Sequence, residues 1–295
     1  MNTEPTTGGD PGPLSWGTYW KPEGYTSGRK SNPSVDVREA FVHRDLRDME
    51  RWGKQHSDDP YTWGFTLYKA SAADERFTQG VEKLNRWLRY LARQTRYAGL
   101  DPDNKEYLEL DARPTNGKIW PSRDFARRFK LEIVHDYPEK DTVVAGSEVS
   151  DGDEDFMAIG SHFRAWVDEH GLDTSDLYVR NDHSLIVDDK ALCTLETLPE
   201  QPPPHGPTAM VSEDGGFLEG PQAVAWVWML DREYYGRYLQ GENLPPYHHP
   251  DEKRFQPWVR IYISDLLRVW FYRPRGMSPG PWDCVVERDQ DKLMR

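Results

Sequence analysis

Residues 62–68 read Thr-Trp-Gly-Phe-Thr-Leu-Tyr, and we expect the folded core to begin here. Trp63, Phe65 and Leu67 fall on one side of an extended chain, so the alternation predicts a half-buried β-strand. After the strand, apolar residues recur at helical spacing for about five turns, which predicts an amphipathic helix that covers it. The apolar residues of this helix are Phe77, Val81, Leu84, Leu88 and Leu91.

The same two periodicities recur along the chain and predict an α+β fold. From Tyr61 to Val187 the order is strand, helix, strand, strand, helix, strand, which is that of a ferredoxin-like split βαβ core. Additional C-terminal strands and a short buried helix extend this core. Residues 222–230 are apolar on both faces, which predicts a central strand with a layer on each side. The other predicted strands are 106–111, 130–135, 183–187 and 257–263, and the predicted helices are 35–52, 71–99, 123–130, 151–171, 188–195 and 266–271.

The first 60 residues carry little apolar periodicity. Thr, Gly, Pro and Ser dominate the beginning, which is typical of a segment that cannot bury enough apolar surface to order itself. We therefore expect residues 1–60 to form a mobile or draped arm and residues 61–295 to form a single α+β domain. Residues 1–30 in particular are expected to pack poorly against the core.

Composition narrows the class of protein. The chain has 50 acidic and 37 basic residues and a formal net charge of −13, which disfavours nucleic-acid binding on average. Its two cysteines, Cys193 and Cys284, exclude the disulfide framework of a small secreted domain. The N-terminus lacks the pattern of a signal peptide, and no apolar run approaches the length of a membrane span. We expect a cytoplasmic protein that does not enter a membrane.

Two stretches resemble a large family of uncharacterised proteins from ascomycete fungi. The first is Trp63-Gly-Phe-Thr-Leu-Tyr-Lys69, followed by a helix with Leu84-Asn-Arg-Trp87; the second is Trp258-Val-Arg-Ile-Tyr-Ile-Ser264 with an apolar helix behind it. The likeness spans residues 61–272, and the tail at 273–282 departs from it. Because that family has no agreed activity, the resemblance implies a fungal origin and a fold, without a reaction.

The best candidate site follows the most apolar strand. A carboxylate pair at the mouth of an apolar sheet, here Asp231 and Glu233, can hold a cationic ligand or act as a general base, although it can as easily pair with the adjacent arginine. His135 closes another predicted strand and joins the two carboxylates as a catalytic candidate. The candidate substrate-binding residues are Trp226, Trp228 and Arg232.

A second pattern is an arginine stripe, formed by Arg86, Arg89, Arg93 and Arg96, on one side of the first predicted domain helix. Such a stripe can track phosphates, or it can be a solvated helix face. If it bound tRNA, the chain could be a cyclodipeptide synthase that uses arginyl-tRNA. The acidic and aromatic residue types around residue 231 suit a guanidinium substrate.

No motif of a metal or cofactor site is present. Residues 248–252 collect metal-ligand residue types without the convergent spacing that zinc needs, and residues 151–155 open like a calcium loop that the following residues do not complete. Glycine-rich nucleotide loops are absent. We therefore expect no metal and no cofactor.

The favoured function is an enzyme of fungal specialised metabolism with an aromatic, acid-lined small-molecule pocket. The alternatives are a non-catalytic binding or protein-interaction module and the tRNA-dependent synthase.

Overall fold

A computed structural model gives the fold of the chain. It describes residues 12–14, 16–19, 35–56, 61–70, 74–94, 97, 117–134, 153–169, 182–205, 224–241 and 258–272.

The described residues form seven α-helices and five β-strands. The strands are β1 (Trp63–Lys69), β2 (Phe129–Val134), β3 (His183–Val187), β4 (Trp226–Asp231) and β5 (Trp258–Tyr262). The helices are α1 (Val35–His56), α2 (Asp74–Gln94), α3 (Pro121–Arg127), α4 (Asp153–Glu169), α5 (Asp189–Glu196), α6 (Arg232–Leu239) and α7 (Ile263–Tyr272).

The five strands make one mixed sheet in the order β2-β1-β3-β4-β5. The first strand pairs in parallel with both β2 and β3, whereas β3–β4 and β4–β5 are antiparallel pairs. A parallel pair requires a crossover connection, and α2 lies in the connection from β1 to β2. Strand β4 is therefore an interior strand with a neighbour on each side.

Alternate residues of each strand point to opposite sides of the sheet. Apolar residues lie on both sides, and helices cover both faces. On the first face, Phe65 and Leu67 of β1 and Leu185 of β3 join a core cluster with residues of α2, α5 and α7. On the second face, Ile186 and Leu230 join a smaller cluster with α4 and α6. The five apolar residues expected on α2 are all buried: Phe77, Val81, Leu84, Leu88 and Leu91.

Gly64 allows β1 and β2 to approach each other. Its φ of 144° belongs to a region that side chains disfavour, and a Cβ at this position would overlap the carbonyl oxygen of Lys130. The absence of a side chain at Gly64 is therefore required for the pairing of these two strands.

The mixed α/β class is confirmed, and so is the interior position of the strand at 226–231. The ferredoxin-like arrangement is not confirmed: β3 runs parallel to β1, where a ferredoxin-like sheet would be antiparallel. The strand predicted at 106–111 lies outside the described residues. Sequence periodicity identifies the strands but not the direction in which they pair, so the ferredoxin-like topology was inferred from the order of elements alone.

Part of the first 60 residues belongs to the same core as β1. Leu14 and Tyr19 are buried, and Tyr19 makes a parallel β-bridge with Ile119. On α1, Leu46 and Met49 are buried in the same cluster. The expectation that residues 1–30 pack poorly is therefore wrong at Leu14 and Tyr19, and the division of the chain at residue 61 stays a prediction.

Candidate functional site

The candidate residues on β4 lie at opposite ends of the strand and on opposite faces. A strand rises about 3.3 Å per residue, so Asp231 is about 10 Å along the strand from Trp228. The two residues are three positions apart on a strand whose side chains alternate, so their side chains point to different sides of the sheet. The predicted combination of Asp231 with Trp226 and Trp228 in one pocket is not what the strand geometry produces.

Asp231 is buried and makes its contacts within the chain. It is the N-cap of α6, where its Oδ1 accepts a hydrogen bond of 3.0 Å from the backbone N–H of Tyr234. Its Oδ2 lies 3.2 Å from Nε2 of His183, the residue opposite it in the β3–β4 register. The side chains of His183 and Asp231 are 0% and 1% exposed. The sequence analysis placed His183 in a strand but did not identify it as a partner of Asp231.

The residues after Asp231 are divided between an ion-pair cluster and the surface. The guanidinium of Arg232 lies 3.6 Å from Asp182 and 3.9 Å from Asp168. Glu233 is exposed on the first turn of α6. His135 lies outside the described residues. Arg232 therefore lies near the carboxylates of Asp182, the residue before β3, and of Asp168, at the end of α4, whereas the alternative drawn from the sequence paired it with Asp231 and Glu233.

Trp226 and Trp228 hold a guanidinium that belongs to the chain itself. The Cζ atom of Arg260, on β5, lies 5.0 Å from the ring centroid of Trp226 and 5.2 Å from that of Trp228. The two indoles meet edge to face at 5.2 Å, and the backbone register pairs Trp228 with Arg260. We name Trp226, Trp228 and Arg260 the aromatic–arginine surface. Its indoles are half-buried and its arginine is exposed.

Hydrogen bonds fix the tryptophans of this surface. The indole Nε1–H of Trp228 donates a bond of 2.9 Å to Oδ2 of Asp188, whose Oδ1 caps α5 by accepting from the N–H of Ala191. The hydroxyl of Thr194 accepts from the backbone N–H of Trp226 and is within 3.1 Å of the carbonyl oxygen of the same residue. The surface is therefore held in place before any ligand arrives.

The described part of the arginine stripe is largely engaged within the chain. Arg89 donates to the carbonyl oxygen of Phe129 through Nε and a terminal nitrogen, at 3.3 and 3.0 Å. Arg86 contacts both the backbone carbonyl and the carboxylate of Glu200. Arg93 is half-buried, and Arg96 lies outside the described residues. Donors that bind the chain's own carbonyl groups are not available to phosphates.

A buried carboxylate on α3, that of Asp124, lies at the centre of a cluster of charged side chains. Asp124 accepts bonds of 2.6 Å from both the Tyr19 hydroxyl and Nε of Arg128, and Arg127 contacts its second oxygen. Burial raises the pKa of Asp124, but the hydrogen bonds from Tyr19 and Arg128 and the arginine charge outweigh burial, so the pKa is lowered overall. Arg128 also donates to the carbonyl oxygens of Gly12 and Tyr61. This cluster connects the N-terminal segment to the core.

A tyrosine–histidine pair lies on the second face of the sheet. The buried hydroxyl of Tyr68 is 2.9 Å from Nδ1 of His162 on α4. Burial raises the pKa of Tyr68 well above its usual value and lowers the pKa of His162. Tyr68 is therefore protonated and His162 neutral at pH 7, and the tautomer of His162 sets which of the two donates the hydrogen bond. Neither residue was singled out from sequence, because their contact spans 94 positions.

Two classes of site are not found among the described residues. In that part of the chain, no group of three or more His, Cys, Asp or Glu side chains has the geometry to hold a metal ion. Within the same ranges, no helix is both long and apolar enough to cross a membrane.

Comparisons with known proteins give no match: no family model, no curated protein and no solved structure matches this chain.

Proposed function

We propose that this chain is a non-catalytic binding module whose contact surface is the aromatic–arginine surface. One observation carries the proposal: the Arg260 side chain is exposed, lies against Trp226 and Trp228, and makes no hydrogen bond or ion pair with the described residues. Tryptophan and arginine are the residue types that contribute most to binding energy at interfaces.

The environment of the catalytic candidates supports binding over catalysis. Asp231 is buried, caps α6 and faces His183, and Arg232 is flanked by two carboxylates. A general base must come within hydrogen-bond reach of its substrate, and a side chain that is 1% exposed offers no such approach in this conformation.

A matched pair of variants tests the proposal. Native mass spectrometry of the protein from its own source is compared for the wild type, Arg260→Gln and Asp231→Asn, where asparagine is as good an N-cap as aspartate. We expect a retained ligand in the wild type and in Asp231→Asn, and none in Arg260→Gln. A ligand that Asp231→Asn loses and Arg260→Gln retains would contradict the proposal.

The second candidate function is an enzyme of fungal specialised metabolism with an acid-lined small-molecule pocket. The pair of His183 and Asp231 favours it, because neither ring nitrogen of the fully buried histidine has a hydrogen bond within the described residues. Buried polar groups without partners call for an explanation, and a proton-transfer role is one. The protein is incubated with an extract of its source organism and metabolite loss is followed by mass spectrometry. Loss with the wild type but not with Asp231→Asn is expected for an enzyme, and no loss with either contradicts it.

The arginine-using, tRNA-dependent synthase has less support. Arg86 and Arg89 of the stripe bond to the chain itself, and the tryptophans proposed for a guanidinium substrate already hold Arg260. The synthase would gain support if the protein bound tRNA in a salt-sensitive way and if reversing the charge of Arg86 and Arg93 abolished this binding. The fungal origin implied by the sequence resemblance remains part of these proposals.

A further inference from the structure

The charge of the aromatic–arginine surface decides which ligand it can take. Two tryptophans next to acidic residues predicted a cationic ligand, but the guanidinium of Arg260 already lies over one side of each indole, Trp226 and Trp228. A second cation at this position would meet like charge. The surface therefore presents a positive charge, which selects for an anion.

Among the residues that the structure describes, none takes the N–H donors of the Arg260 guanidinium. A cation–π contact uses the charge of the guanidinium rather than its N–H groups, so the five donors of Arg260 are not consumed by the indoles. The nearby carboxylate of Asp188 is engaged through both oxygens, by the Trp228 indole and by the N–H of Ala191. Within the described residues, no acidic side chain pairs with Arg260.

The indoles also reduce the entropic cost of binding. A free arginine side chain loses about 2 kcal/mol of rotamer entropy when a ligand immobilises it. Here two half-buried indoles already restrict Arg260, and the Trp228 ring is itself fixed by Asp188 and by an edge contact with Phe156 at 5.3 Å. Preorganisation of this kind raises affinity without adding contacts.

We propose that Arg260 binds a carboxylate through paired N–H···O bonds while an apolar group next to that carboxylate packs on Trp226 and Trp228. Guanidinium and carboxylate match in planar, bidentate geometry. A single arginine on a chain of net charge −13 suits a monoanion better than a polyphosphate. This inference deepens the proposed function and rests on it, since it names the ligand class of the same surface.

Three isosteric probes test the charge of the ligand: benzoate, benzamide and benzamidine. Each is titrated into the ¹⁵N-labelled full chain, and the indole N–H signals of Trp226 and Trp228 and the Nε–H signal of Arg260 are followed by NMR. We expect saturable shifts with benzoate, binding about tenfold or more weaker with benzamide, as expected for loss of a charge-assisted pair, and none with benzamidine.

Three variants assign the effect to Arg260. Arg260→Gln should abolish benzoate binding, whereas Arg123→Gln, which removes the same charge from another exposed position, should leave it unchanged. Arg260→Lys keeps the charge but not the planar donors, and we expect intermediate binding. Benzoate binding by Arg260→Gln equal to that of the wild type overturns the inference, as does benzamide binding as tight as benzoate.

The outcomes separate this inference from the proposed function. If benzamide or benzamidine shifts the indole signals and benzoate does not, the surface binds ligands but the carboxylate assignment is wrong. If no probe shifts them, both fail. N-acetylphenylalanine distinguishes two sources of the carboxylate: tighter binding than benzoate indicates a peptide C-terminus, and weaker binding indicates a small aromatic acid.

Discussion

Arg128 and Arg260 are two arginines of one chain in opposite environments. Arg128 is 3% exposed, lies 2.6 Å from Asp124 and donates to two carbonyl oxygens. Arg260 is exposed and contacts two indoles, without an ion pair among the described residues. The guanidinium of Arg128 is bonded to protein groups instead of water, whereas none of the described residues takes the N–H donors of Arg260. The partners of a cation, rather than its neighbours in the sequence, therefore distinguish a structural arginine from a binding one.

The largest loss of unfolding free energy is expected when the buried Arg128 loses its carboxylate partner. Asp124→Asn leaves Arg128 charged and buried without its counter-charge, and breaking a buried pair in this way costs about 3–5 kcal/mol of the free energy of unfolding. Urea unfolding followed by circular dichroism measures the loss. Asp168→Asn is the matched control, because Asp168 is 62% exposed and its pairing with Arg232 should contribute about 1 kcal/mol or less. Equal losses in the two variants would mean that the Asp124 cluster is not buried in solution.

The Asp124 carboxylate should also make the free energy of unfolding depend on pH. The size of this effect cannot exceed the loss measured for Asp124→Asn. The pKa of Asp124 is lowered in the folded chain, so its contribution is complete above the unfolded pKa of about 3.9 and is lost as the pH falls toward the folded value. The difference in unfolding free energy between wild type and Asp124→Asn should be constant from pH 7 to 5 and shrink below about pH 4. Urea unfolding at pH 7, 5, 4 and 3 checks this, and a difference that grows on acidification would contradict it.

A smaller effect is expected at Tyr19, which connects the N-terminal segment to the same carboxylate. Tyr19→Phe removes a hydroxyl donor to a charged acceptor, and such a bond contributes about 1.5–3 kcal/mol. Unfolding in urea gives the loss, and Tyr61→Phe is the matched control because Tyr61 contributes its backbone carbonyl to Arg128. If Tyr19→Phe were as stable as the wild type, the contact of this segment with the core would not persist in solution.

The smallest effect on stability is expected at Arg260. An exposed cation–π contact contributes about 0.5–1 kcal/mol, so Arg260→Gln should unfold within about 1 kcal/mol of the wild type. The same variant should lose benzoate binding. Separation of stability from binding at one residue distinguishes a binding arginine from a structural one, and a loss as large as that of Asp124→Asn would place Arg260 in the structural class.

Local patterns in the sequence predicted the elements well. His183–Val187 is a strand with the predicted bounds, and the predicted helix from 188 to 195 is α5 shifted by one residue. These predictions succeed because they depend on residues a few positions apart. Asp231 also had a local signal that the analysis did not use: an aspartate before a helix is a typical N-cap, and this is its structural role.

The site was harder to predict, because its contacts are long-range. Trp226 and Trp228 were identified as a surface for a guanidinium, and one does lie there, but it comes from Arg260 on the next strand. Only the β4–β5 register brings these residues together. In the same way, Arg89 could not be recognised as a donor to Phe129, 40 positions away, from the spacing of arginines on a helix.

The pairing of β1 has a consequence for synthesis on the ribosome. Both neighbours of this strand come later in the chain, and the first residue of β2, Phe129, follows Lys69 by 60 positions. At about 5–20 residues per second, translation leaves β1 without a neighbour for about 3–12 s, and longer until β3 emerges. During that interval a strand with six buried residues out of seven has no strand partner. The nascent chain should therefore be a chaperone substrate until β2 is made, and the parallel order of the sheet sets the length of that dependence.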